Sequence, residues 1–505
     1  MKLFVKKSLE QLMATPEEGA STLKRTLGAG NLIALGIGAI IGAGLFVRTA
    51  AAAGAHAGSA VTISFIIAAV GCAFAGLCYA EFASIIPIAG SAYTYAYATM
   101  GEIVAWVIGW ALILEYALGA ATVSISWSEY ANQLVGHRIP FEWCHSPFES
   151  AIINGVSHHG IINLPALLIL FLLSALLIKG TQESATVNTV IVVIKVAIVL
   201  VFIAIGWHFI NPANHTPYMI PANAPAATLP DGTSYSYLPF FNHGWGGVLT
   251  GAGIVFFAFI GFDAVSTAAQ EAKNPKRDMP IGILGSLVVC TILYILFSWV
   301  LTGVAPYQDF MRAGKEASVA YAISHYMLGY SWLSTLVTVA ILAGFSSVIL
   351  VMLLGQSRVF YTMSTDGLLP KVFSDLHPKF RTPYKSNMIL FIFVGLFAAF
   401  LPESVAGDLT SIGTLFAFVV VCIGVMILRK KDPNLIRPFK TPLVPLVPIL
   451  GILICAAMII SLPSGTQLSA LAWMIIGLII YFGYSRKNSK LGSAADALPR
   501  ASDFE

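Results

Sequence analysis

The sequence has few charged residues for its length. Lys, Arg, Asp and Glu together make up 10% of the 505 residues, whereas hydrophobic residues make up 57%. Soluble domains carry about 25% charged residues, and a chain of this size folded in water needs far more polar surface. The composition therefore argues against a soluble enzyme, a nucleic-acid-binding protein and a secreted disulfide-rich scaffold. It predicts a membrane protein that crosses the bilayer several times.

Features typical of other protein classes are also missing. Five of the six cysteines lie in or beside apolar runs, where cysteine behaves as a small hydrophobic residue, and only Cys144 lies in a long polar loop. We therefore expect no disulfide framework. The histidines show no zinc-like spacing, so we expect no metal and no organic cofactor. Residues 1–24 lack an apolar core, which distinguishes them from a cleaved signal peptide.

Twelve apolar runs have the composition of membrane-crossing helices, each of which needs about 20 residues. Backbone in hydrocarbon must pair its own N–H and C=O groups, so nearly all of these runs are predicted to be helical. We name them segments 1 to 12 in chain order, at 31–54, 58–86, 101–133, 161–178, 186–209, 245–270, 281–304, 331–362, 387–401, 407–428, 443–462 and 467–484. The predicted fold class is an all-α polytopic membrane protein with 12 transmembrane helices.

Lysine and arginine are distributed unevenly between the two predicted sides of the membrane. If the N-terminus is cytoplasmic and the segments alternate, 23 of the 28 Lys and Arg residues fall in cytoplasmic connections and ends. The long external connection 210–244 contains neither residue type. Positive charge accumulates on the cytoplasmic side of membrane proteins, so both termini are predicted to be cytoplasmic. Arg48 and Lys195 are exceptions, because they lie within apolar runs.

Two segments contain glycines that make local unwinding easy. Segment 1 reads GIGAIIGAGLF over 36–46, and segment 6 reads GAGIVFFAFIGFD over 251–263. Unwound backbone within a membrane is tolerated where it lines a cavity, and a pair of Gly-interrupted segments points to a transporter's binding site. The alternative is that the glycines only allow close helix packing, since both regions also contain Gly-x-x-x-Gly patterns.

The positions of the two Gly-rich segments favour binding over packing. They are five segments apart, and five is an odd number, so the second five-helix unit would enter the membrane from the opposite side. This arrangement is an inverted repeat, formed here by 31–209 and 245–428. We infer the repeat from position, since the two halves show no clear residue identity.

Helix breaks of this kind can hold a zwitterion. Free N–H groups at the start of a half-helix attract an anion, and free C=O groups at the end of the other half-helix attract a cation. We therefore predict that an amino acid places its carboxylate near Ala43 and Gly44. Its ammonium group is predicted to lie near Phe257, Ala258 and Ile260.

Two ionisable side chains lie deep within predicted helices, where such residues are functional by default. Glu115 shares one helical face of segment 3 with Gly119, Thr122 and Ser126. It could contact substrate or carry a proton, or it could make a structural hydrogen bond. Lys195 in segment 5 has no acidic neighbour within a helical turn. A buried lysine loses its proton easily, which suits proton coupling, and the alternative is that its ammonium reaches the membrane interface.

Other residues of these segments are assigned simpler roles. Asp263 is predicted to brace the inner half of segment 6. Glu81 and Arg358 lie near cytoplasmic helix ends, where a structural ion pair or interfacial anchoring is favoured. Phe259 is predicted to close over the substrate, because it falls inside the predicted break of segment 6.

Several longer motifs occur together and in order. They are LKRTLGAGN at 23–31, followed by the Gly-rich stretch of segment 1, CYAEFASIIPIAGSAYTYAY at 78–97, GWALILEYALG at 109–119, KGTQESATVN at 179–188, FFAFIGFDAVSTAAQEAKNPKRDMPIGI at 256–283, GQSRVFYTMSTDGLLPKVFSDLHPKFRTP at 355–383 and LTSIGTLFAF at 409–418. Through these motifs the chain resembles the amino acid–polyamine–organocation (APC) superfamily, most closely a bacterial-type member of its cationic amino acid transporter branch. The resemblance covers about residues 24 to 460.

This resemblance implies a LeuT-like fold of two inverted five-helix repeats followed by two further helices. It also implies proton-coupled amino acid uptake. In relatives a sodium ion can bridge helices 1, 5 and 8, and in proton-coupled members a lysine of helix 5 takes its place. Lys195 stands there, so its ammonium is expected near Gly42 and near Ser346 or Ser347. The vertebrate members are longer, so their preference for cationic substrates does not simply carry over.

We therefore predict a secondary active transporter, not an enzyme, that brings L-amino acids into the cell with protons by alternating access. The substrates are expected to be cationic or small neutral amino acids. The predicted substrate-binding residues are Ile40, Ala43, Gly44, Glu115, Phe256, Ala258, Phe259 and Ile260. The predicted proton-coupling residues are Lys195, Gly42, Ser346 and Ser347. An amino acid exchanger without net proton coupling and a nutrient receptor that does not transport are the alternatives.

The predicted organisation has six parts. They are a cytoplasmic arm at 1–30, the first repeat at 31–209, an external loop at 210–244, the second repeat at 245–428, two last helices at 429–485 and a disordered cytoplasmic tail at 486–505. The expected partners are the amino acid substrate and the lipid bilayer of the cell membrane, with no nucleic acid. The sequence does not indicate an oligomeric state.

Overall fold

A computed structural model describes most of the chain. The described residues are 6–7, 27–86, 91–153, 155–179, 185–229, 231–267, 269, 272–312, 318–380 and 382–491. Most of the predicted N-terminal arm and residues 492–505 of the predicted tail therefore lie outside the described residues.

The described residues are mostly helical, and seven of their helical stretches are long and apolar enough to cross a membrane. These are Gly44–Ile85, Glu102–Leu134, Val190–Phe209, Pro275–Val304, Ser331–Thr365, Glu403–Lys431 and Ser464–Asn488. Shorter apolar helices are Ala29–Ile40, Leu164–Lys179, Gly244–Phe259, Tyr384–Phe400 and Leu446–Ser461. The all-α membrane fold class is confirmed at this level.

Ten of the predicted segments each contain one main helix. For segments 2 to 5 these helices are Val61–Ile85, Glu102–Leu134, Leu164–Lys179 and Ala185–Gly206. For segments 7 to 12 they are Pro275–Val304, Ser331–Thr365, Tyr384–Phe400, Glu403–Lys431, Leu446–Ser461 and Ser464–Ile480. Segments 1 and 6 are interrupted, as their glycines predict.

Segment 1 consists of two half-helices. The N-terminal half, Ala29–Ile40, which we call the inner half after the predicted orientation, ends where Ile41 adopts an extended conformation with φ −72° and ψ 104°. Helical structure resumes with a π-helical turn at Gly44–Arg48 and continues to residue 57. Gly58, with φ +63°, then turns the chain into segment 2. Such a positive φ is readily adopted only by glycine.

Segment 6 is interrupted in a similar way. Its outer half, Gly244–Val255, tightens into a 3₁₀ turn at Phe256–Phe259. Ile260 is extended with ψ 135°, and Gly261 has φ +112° before a short helix begins at Ala264. The predicted unwinding of both segments is therefore confirmed.

The helices pack in two groups around these breaks. Segment 3 packs mainly against segments 8 and 10, whereas segment 7 packs against segment 2 and the inner half of segment 1. Segment 7 approaches segment 1 closely, because a methyl group on Gly36 would lie 2.5 Å from the Ser286 hydroxyl oxygen. The interrupted segments thus lie between a group formed by segments 3, 8 and 10 and a group containing segments 2 and 7.

The connections contain small elements of their own. A helix, Ser91–Thr99, follows segment 2. Antiparallel pairs join Ser150–Ile153 to Val156–His159 and Ala227–Thr228 to Ser234–Tyr235.

The start of the predicted tail is ordered against the rest of the protein. Arg486–Asn488 is helical, and Ser489 is buried with its hydroxyl donating to the Glu102 carboxylate. The prediction of disorder is therefore wrong for residues 486–491, because this buried polar contact was not visible from composition.

Candidate functional site

The two helix breaks lie directly against each other. A methyl group added to Gly44 would lie only 2.2 Å from the Ala258 Cα and 2.5 Å from its backbone nitrogen. Segment 1 therefore needs a residue without a side chain at this point. This contact brings together the backbone groups that we predicted to hold the two ends of an amino acid.

A tyrosine of segment 7 joins the two breaks. The Tyr294 hydroxyl lies 3.1 Å from the Ile40 carbonyl oxygen and 2.9 Å from the Ala258 carbonyl oxygen. A hydroxyl has one hydrogen, so the two carbonyls share a single donor. Both carbonyls belong to residues that we predicted to bind substrate. Tyr294 is thus a site residue that sequence reasoning missed.

The other predicted substrate residues of the breaks are all buried. Ile40, Ala43, Phe256, Ala258, Phe259 and Ile260 are each at most 2% exposed, and Gly44 is also buried. Ala43 and Gly44 lie in the first turn of the outer half-helix, where backbone N–H groups lack an intrahelical acceptor. The geometry therefore provides donors on one side of the break and carbonyl acceptors on the other.

Aromatic rings enclose the break of segment 6. The ring of Phe259 packs 5.2 Å from Tyr294 and 6.2 Å from Phe65, measured between ring centroids. The ring of Phe256 packs 5.5 Å from Phe418 of segment 10. Both side chains therefore separate the break from the surrounding helices, and the role of Phe259 as a gate stays a prediction.

Glu115 lies beyond the break, next to Asp263. It is fully buried, and Asp263 of segment 6 and Thr414 of segment 10 are its electrostatic neighbours. The Thr414 hydroxyl donates to the Thr410 carbonyl at 3.1 Å, and the Thr414 side chain also lies beside the Glu115 carboxylate. The structural and the functional roles that we considered for Glu115 therefore both stay predictions.

Asp263 connects segment 6 to neighbouring helices. Its carboxylate accepts hydrogen bonds from the Tyr116 hydroxyl at 3.0 Å and from the Ser91 hydroxyl at 3.5 Å. Tyr116 belongs to segment 3 and Ser91 to the connection after segment 2. These contacts are consistent with the bracing role that we predicted.

Lys195 contacts the inner half of segment 1, in the region near Gly42 where we expected its ammonium. Its ammonium Nζ donates to the Gly38 carbonyl oxygen at 2.8 Å, about one turn before Gly42. The stem of Lys195 lies in the space that Gly344 leaves, where an added methyl group would be 2.9 Å from the lysine Cε. Gly42 instead approaches Val348 of segment 8, since a methyl group on Gly42 would lie 3.1 Å from the valine Cγ2.

The two serines expected beside Lys195 are arranged differently. The Ser346 hydroxyl donates to the Leu342 carbonyl of its own helix at 2.9 Å, which is a common way for a helical serine to satisfy its donor. The Ser347 hydroxyl is buried and has no hydrogen bond with a described residue. A role for either serine in proton coupling stays a prediction.

A buried ion-pair cluster fixes the outer half of segment 1 to segment 10. Arg48 is 1% exposed, and its guanidinium contacts the carboxylates of Asp408 and, at 3.4 Å, Glu403. The arginine was visible in the sequence as a charge within an apolar run. Its partners were not, because they lie some 360 residues away in the chain.

The ion pair that we favoured for Glu81 is present. Arg429 donates to both of its carboxylate oxygens at 2.8 Å, and the Thr441 amide donates to one of them at 2.8 Å. This two-pronged contact ties segment 2 to the end of segment 10.

Comparison with known proteins identifies the family. The family described as amino acid permease matches residues 27–485. The chain belongs to the amino acid permease family. This match confirms the resemblance to the APC superfamily, and the permease is a multi-pass membrane protein.

The relatives of the permease have several named activities. It is 43% identical to a branched-chain amino acid permease, BcaP, of Bacillus subtilis and 41% identical to a methylthioribose transporter of the same organism. Each match covers 97% of this chain and 99% of the relative. It is 33% identical to the vacuolar cationic amino acid transporter 4 of Arabidopsis thaliana, over 86% of this chain and 68% of that one. These relatives are transporters and permeases rather than enzymes.

Proposed function

We propose that the permease is a secondary active transporter that carries L-amino acids into the cell together with protons by alternating access. The observation that carries this proposal is the contact of two helix breaks, at Gly44 of segment 1 and Ala258 of segment 6. Opposed breaks of this kind offer N–H donors and C=O acceptors at one place within the membrane.

The proposed topology has twelve crossings with both termini in the cytoplasm. Segments 1 to 5 and 6 to 10 form two inverted repeats in a LeuT-like fold, followed by segments 11 and 12. The equivalent interruptions of segments 1 and 6 and the uneven distribution of Lys and Arg support this arrangement. Segments 1, 2, 6 and 7 would rock against the remaining helices, in accord with the separate packing of segment 3 with segments 8 and 10.

The substrate is proposed to bind through its backbone groups. Its carboxylate would accept the N–H groups of Ala43 and Gly44, and its ammonium would donate to the carbonyls of Ile40 and Ala258. Phe256 and Ile260 flank these carbonyls, and Phe259 would close over the substrate. Tyr294 donates to the same carbonyls in this structure, so its hydroxyl would compete with the ammonium for them.

The side chain of the substrate is a separate question from its backbone groups. Cationic and small neutral amino acids are the classes favoured by our sequence reasoning, and the names of two relatives add branched-chain amino acids. We propose that the buried carboxylate of Glu115 distinguishes cationic from neutral substrate side chains. Its carboxylate is fully buried beside Asp263, so a cationic side chain that reached it would be a favourable partner. A branched side chain would leave Glu115 as a buried neutral acid.

Proton coupling is proposed to act through Lys195. In its protonated form, the Lys195 ammonium makes a charge-assisted hydrogen bond to Gly38 and holds the inner half of segment 1 in place. Loss of the proton weakens this bond and allows the inner half-helix to move toward the inward-open state. Each transport cycle would therefore move one proton with the substrate.

Uptake into proteoliposomes tests these proposals together. Radiolabelled leucine, alanine and arginine are supplied with and without an inward proton gradient, to the wild type and to Lys195→Ala. Accumulation that requires the gradient and is lost in Lys195→Ala supports a symporter. Uptake driven only by internal amino acid identifies an exchanger, and binding without uptake identifies a receptor. Comparison of the three substrates assigns the side-chain class.

A further inference from the structure

A groove lies beside the start of segment 7, away from the helix breaks. It has a volume of about 720 Å³ and lies between the first turns of Pro275–Val304 and the connection after segment 10. Lys276 and Arg277 line one end of it, and Leu284 lines the other. Along an α-helix these positions are about 12 Å apart. The groove is therefore charged at one end and apolar at the other.

The positive charges of the groove have no acidic partner in the described part of the chain. Lys276 and Arg277 are both exposed, and neither makes an ion pair or a side-chain hydrogen bond with a described residue. Asp278 is the acid nearest in sequence, but it is only 8% exposed and accepts the Asn274 amide at 3.2 Å. Lys273, next to Asn274, is also exposed. The charged end therefore offers uncompensated positive charge and the start of a 30-residue helix.

The apolar end continues onto an unpacked helix face. Ile281 is 37% exposed, Val288 is 59% exposed and Ile292 is 54% exposed. With Gly285 these positions are spaced by three or four residues, so they lie on one face of the helix. In a membrane protein such a face contacts lipid, because the described helices leave it uncovered. An acyl chain can therefore enter the groove from the bilayer.

We propose that this groove binds an anionic phospholipid. The headgroup phosphate lies against Lys276, Arg277 and the helix start, since basic residues and helix N-termini both favour phosphate. One acyl chain lies along Ile281 and Leu284. The apolar length of the groove selects a lipid over free phosphate. The proposal rests on the proposed function only for its topology, which places this end of segment 7 at the cytoplasmic leaflet.

The bound lipid would support a moving part of the transporter. The same turns of segment 7 pack against the inner half of segment 1, where a methyl group on Gly282 would lie 2.7 Å from the Leu32 Cβ. The inner half-helix also carries the Gly38 carbonyl that Lys195 binds. Lipid in the groove therefore holds segment 7 from one side while segment 1 packs on the other.

Native mass spectrometry of the purified full-length protein tests the lipid site. Phosphatidylglycerol and phosphatidylcholine with identical acyl chains are titrated separately, and the retained lipid is counted. We expect the wild type to prefer phosphatidylglycerol by about thirtyfold, since each of the two basic residues near an anionic headgroup contributes about 1 kcal/mol. The Lys276→Glu/Arg277→Glu variant is expected to lose this preference.

A second double variant provides the matched control. Lys371 and Lys379 are exposed, lie in the connection after segment 8 and do not line the groove. Lys371→Glu/Lys379→Glu makes the same change in net charge and should retain the preference. Equal loss in both double variants, or equal retention of the two lipids by the wild type, would overturn the proposal.

Free phosphate and protein folding are measured in the same experiment. Millimolar inorganic phosphate should leave phosphatidylglycerol bound. Displacement of phosphatidylglycerol by inorganic phosphate would show that the groove binds phosphate and does not recognise a lipid. Thermal unfolding of each variant shows whether it is folded. A Leu284→Trp variant, which fills the apolar end without changing charge, should also reduce lipid retention. These measurements need no substrate, so they can fail or succeed independently of the transport proposal.

Discussion

Gly344 leaves the space through which Lys195 reaches segment 1. A methyl group there would lie 2.9 Å from the lysine Cε, which is closer than side chains approach one another. We expect Gly344→Ala to displace the ammonium from Gly38 without unfolding the protein, because a flexible side chain can move. Accumulation driven by a proton gradient should fall at least tenfold, whereas exchange of internal for external amino acid should persist. Both are measured in proteoliposomes.

Gly119→Ala is the control for this change. The added methyl group would lie 3.5 Å from Thr410 Cγ2 and 3.6 Å from Met352 Sδ, which are ordinary contacts. This variant should accumulate substrate as the wild type does. Full gradient-driven accumulation by Gly344→Ala would show that the position of Lys195 does not govern coupling.

Tyr294→Phe removes the hydroxyl that both breaks share. Without this donor, the Ile40 and Ala258 carbonyls lose the one hydrogen bond that they share, which costs about 1–3 kcal/mol for a buried unsatisfied group. A substrate ammonium satisfies both carbonyls, so binding should become about tenfold tighter, as measured by isothermal titration calorimetry. Weaker binding would instead show that Tyr294 contributes a direct contact to the substrate.

Sequence reasoning singles out residues that are unusual in their own surroundings. Lys195 and the glycines of segment 1 differ from the apolar residues around them, and this contrast identifies them. Tyr294 does not, because a tyrosine in an apolar run is ordinary. Its role depends on two carbonyls in segments 1 and 6, and only the three-dimensional packing brings these together.

At the scale of elements, the two half-helices of segment 1 depend on a contact that excludes side chains. Gly44→Ala would place a methyl group 2.2 Å from the Ala258 Cα, and a backbone atom cannot move aside without shifting segment 6. We expect transport to fall below detection. Gly42→Ala, whose methyl group would lie 3.1 Å from a Val348 methyl, should retain most activity because that side chain can adjust.

Uptake and thermal stability of these two variants are measured together. Comparable uptake by Gly44→Ala and Gly42→Ala would contradict the requirement for contact between the breaks. If Gly44→Ala does not fold, the comparison of Gly42→Ala with wild type still tests whether the break itself tolerates a side chain.

The cluster of Arg48 with Asp408 and Glu403 holds the outer half of segment 1 against segment 10. Removal of one partner from a buried ion pair typically costs about 3–5 kcal/mol, because the remaining charge is buried alone. Arg48→Met should therefore lower the thermal unfolding temperature strongly. Neutralising the acids as well, in Arg48→Met/Glu403→Gln/Asp408→Asn, should recover most of the loss. No recovery would show that shape rather than charge makes this contact.

The elements themselves were predictable because hydrophobicity and glycine act locally. Apolar length predicted where helices run, and the Gly-rich stretches predicted where segments 1 and 6 unwind. Which residues of neighbouring helices contact each other was not predictable in this way. The resemblance placed the Lys195 contact near Gly42, and the structure gives the exact acceptor, the Gly38 carbonyl, which the ammonium reaches through the space left by Gly344. The space beside Gly344 depends on how segments 5 and 8 pack, and this packing cannot be read from the sequence.

At the scale of the whole molecule, composition and charge predicted the class of protein but not how its ends are held. Residues 486–490 are polar, and polarity suggested disorder. The structure instead buries Ser489 against Glu102, whose carboxylate also accepts the hydroxyls of Tyr97 and Tyr481 at 2.9 and 3.1 Å. A short polar segment can be ordered when it reaches a buried acceptor, and this acceptor is almost 390 residues away in the chain.

Truncation separates the ordered and the remaining parts of the C-terminal segment. Deletion of residues 486–505 removes the Ser489 hydroxyl from Glu102 and the Lys490 amide from the Asp366 carbonyl, which it approaches at 3.2 Å. Loss of these hydrogen bonds, at about 1 kcal/mol each, should lower the unfolding temperature by roughly 2–5 °C. Deletion of residues 492–505 alone should leave it unchanged, because none of the described contacts is lost. Differential scanning fluorimetry in detergent measures both. Equal unfolding temperatures for the two deletions would show that the contacts of Ser489 and Lys490 add nothing to stability, and that Glu102 needs only the hydroxyls of Tyr97 and Tyr481 as partners.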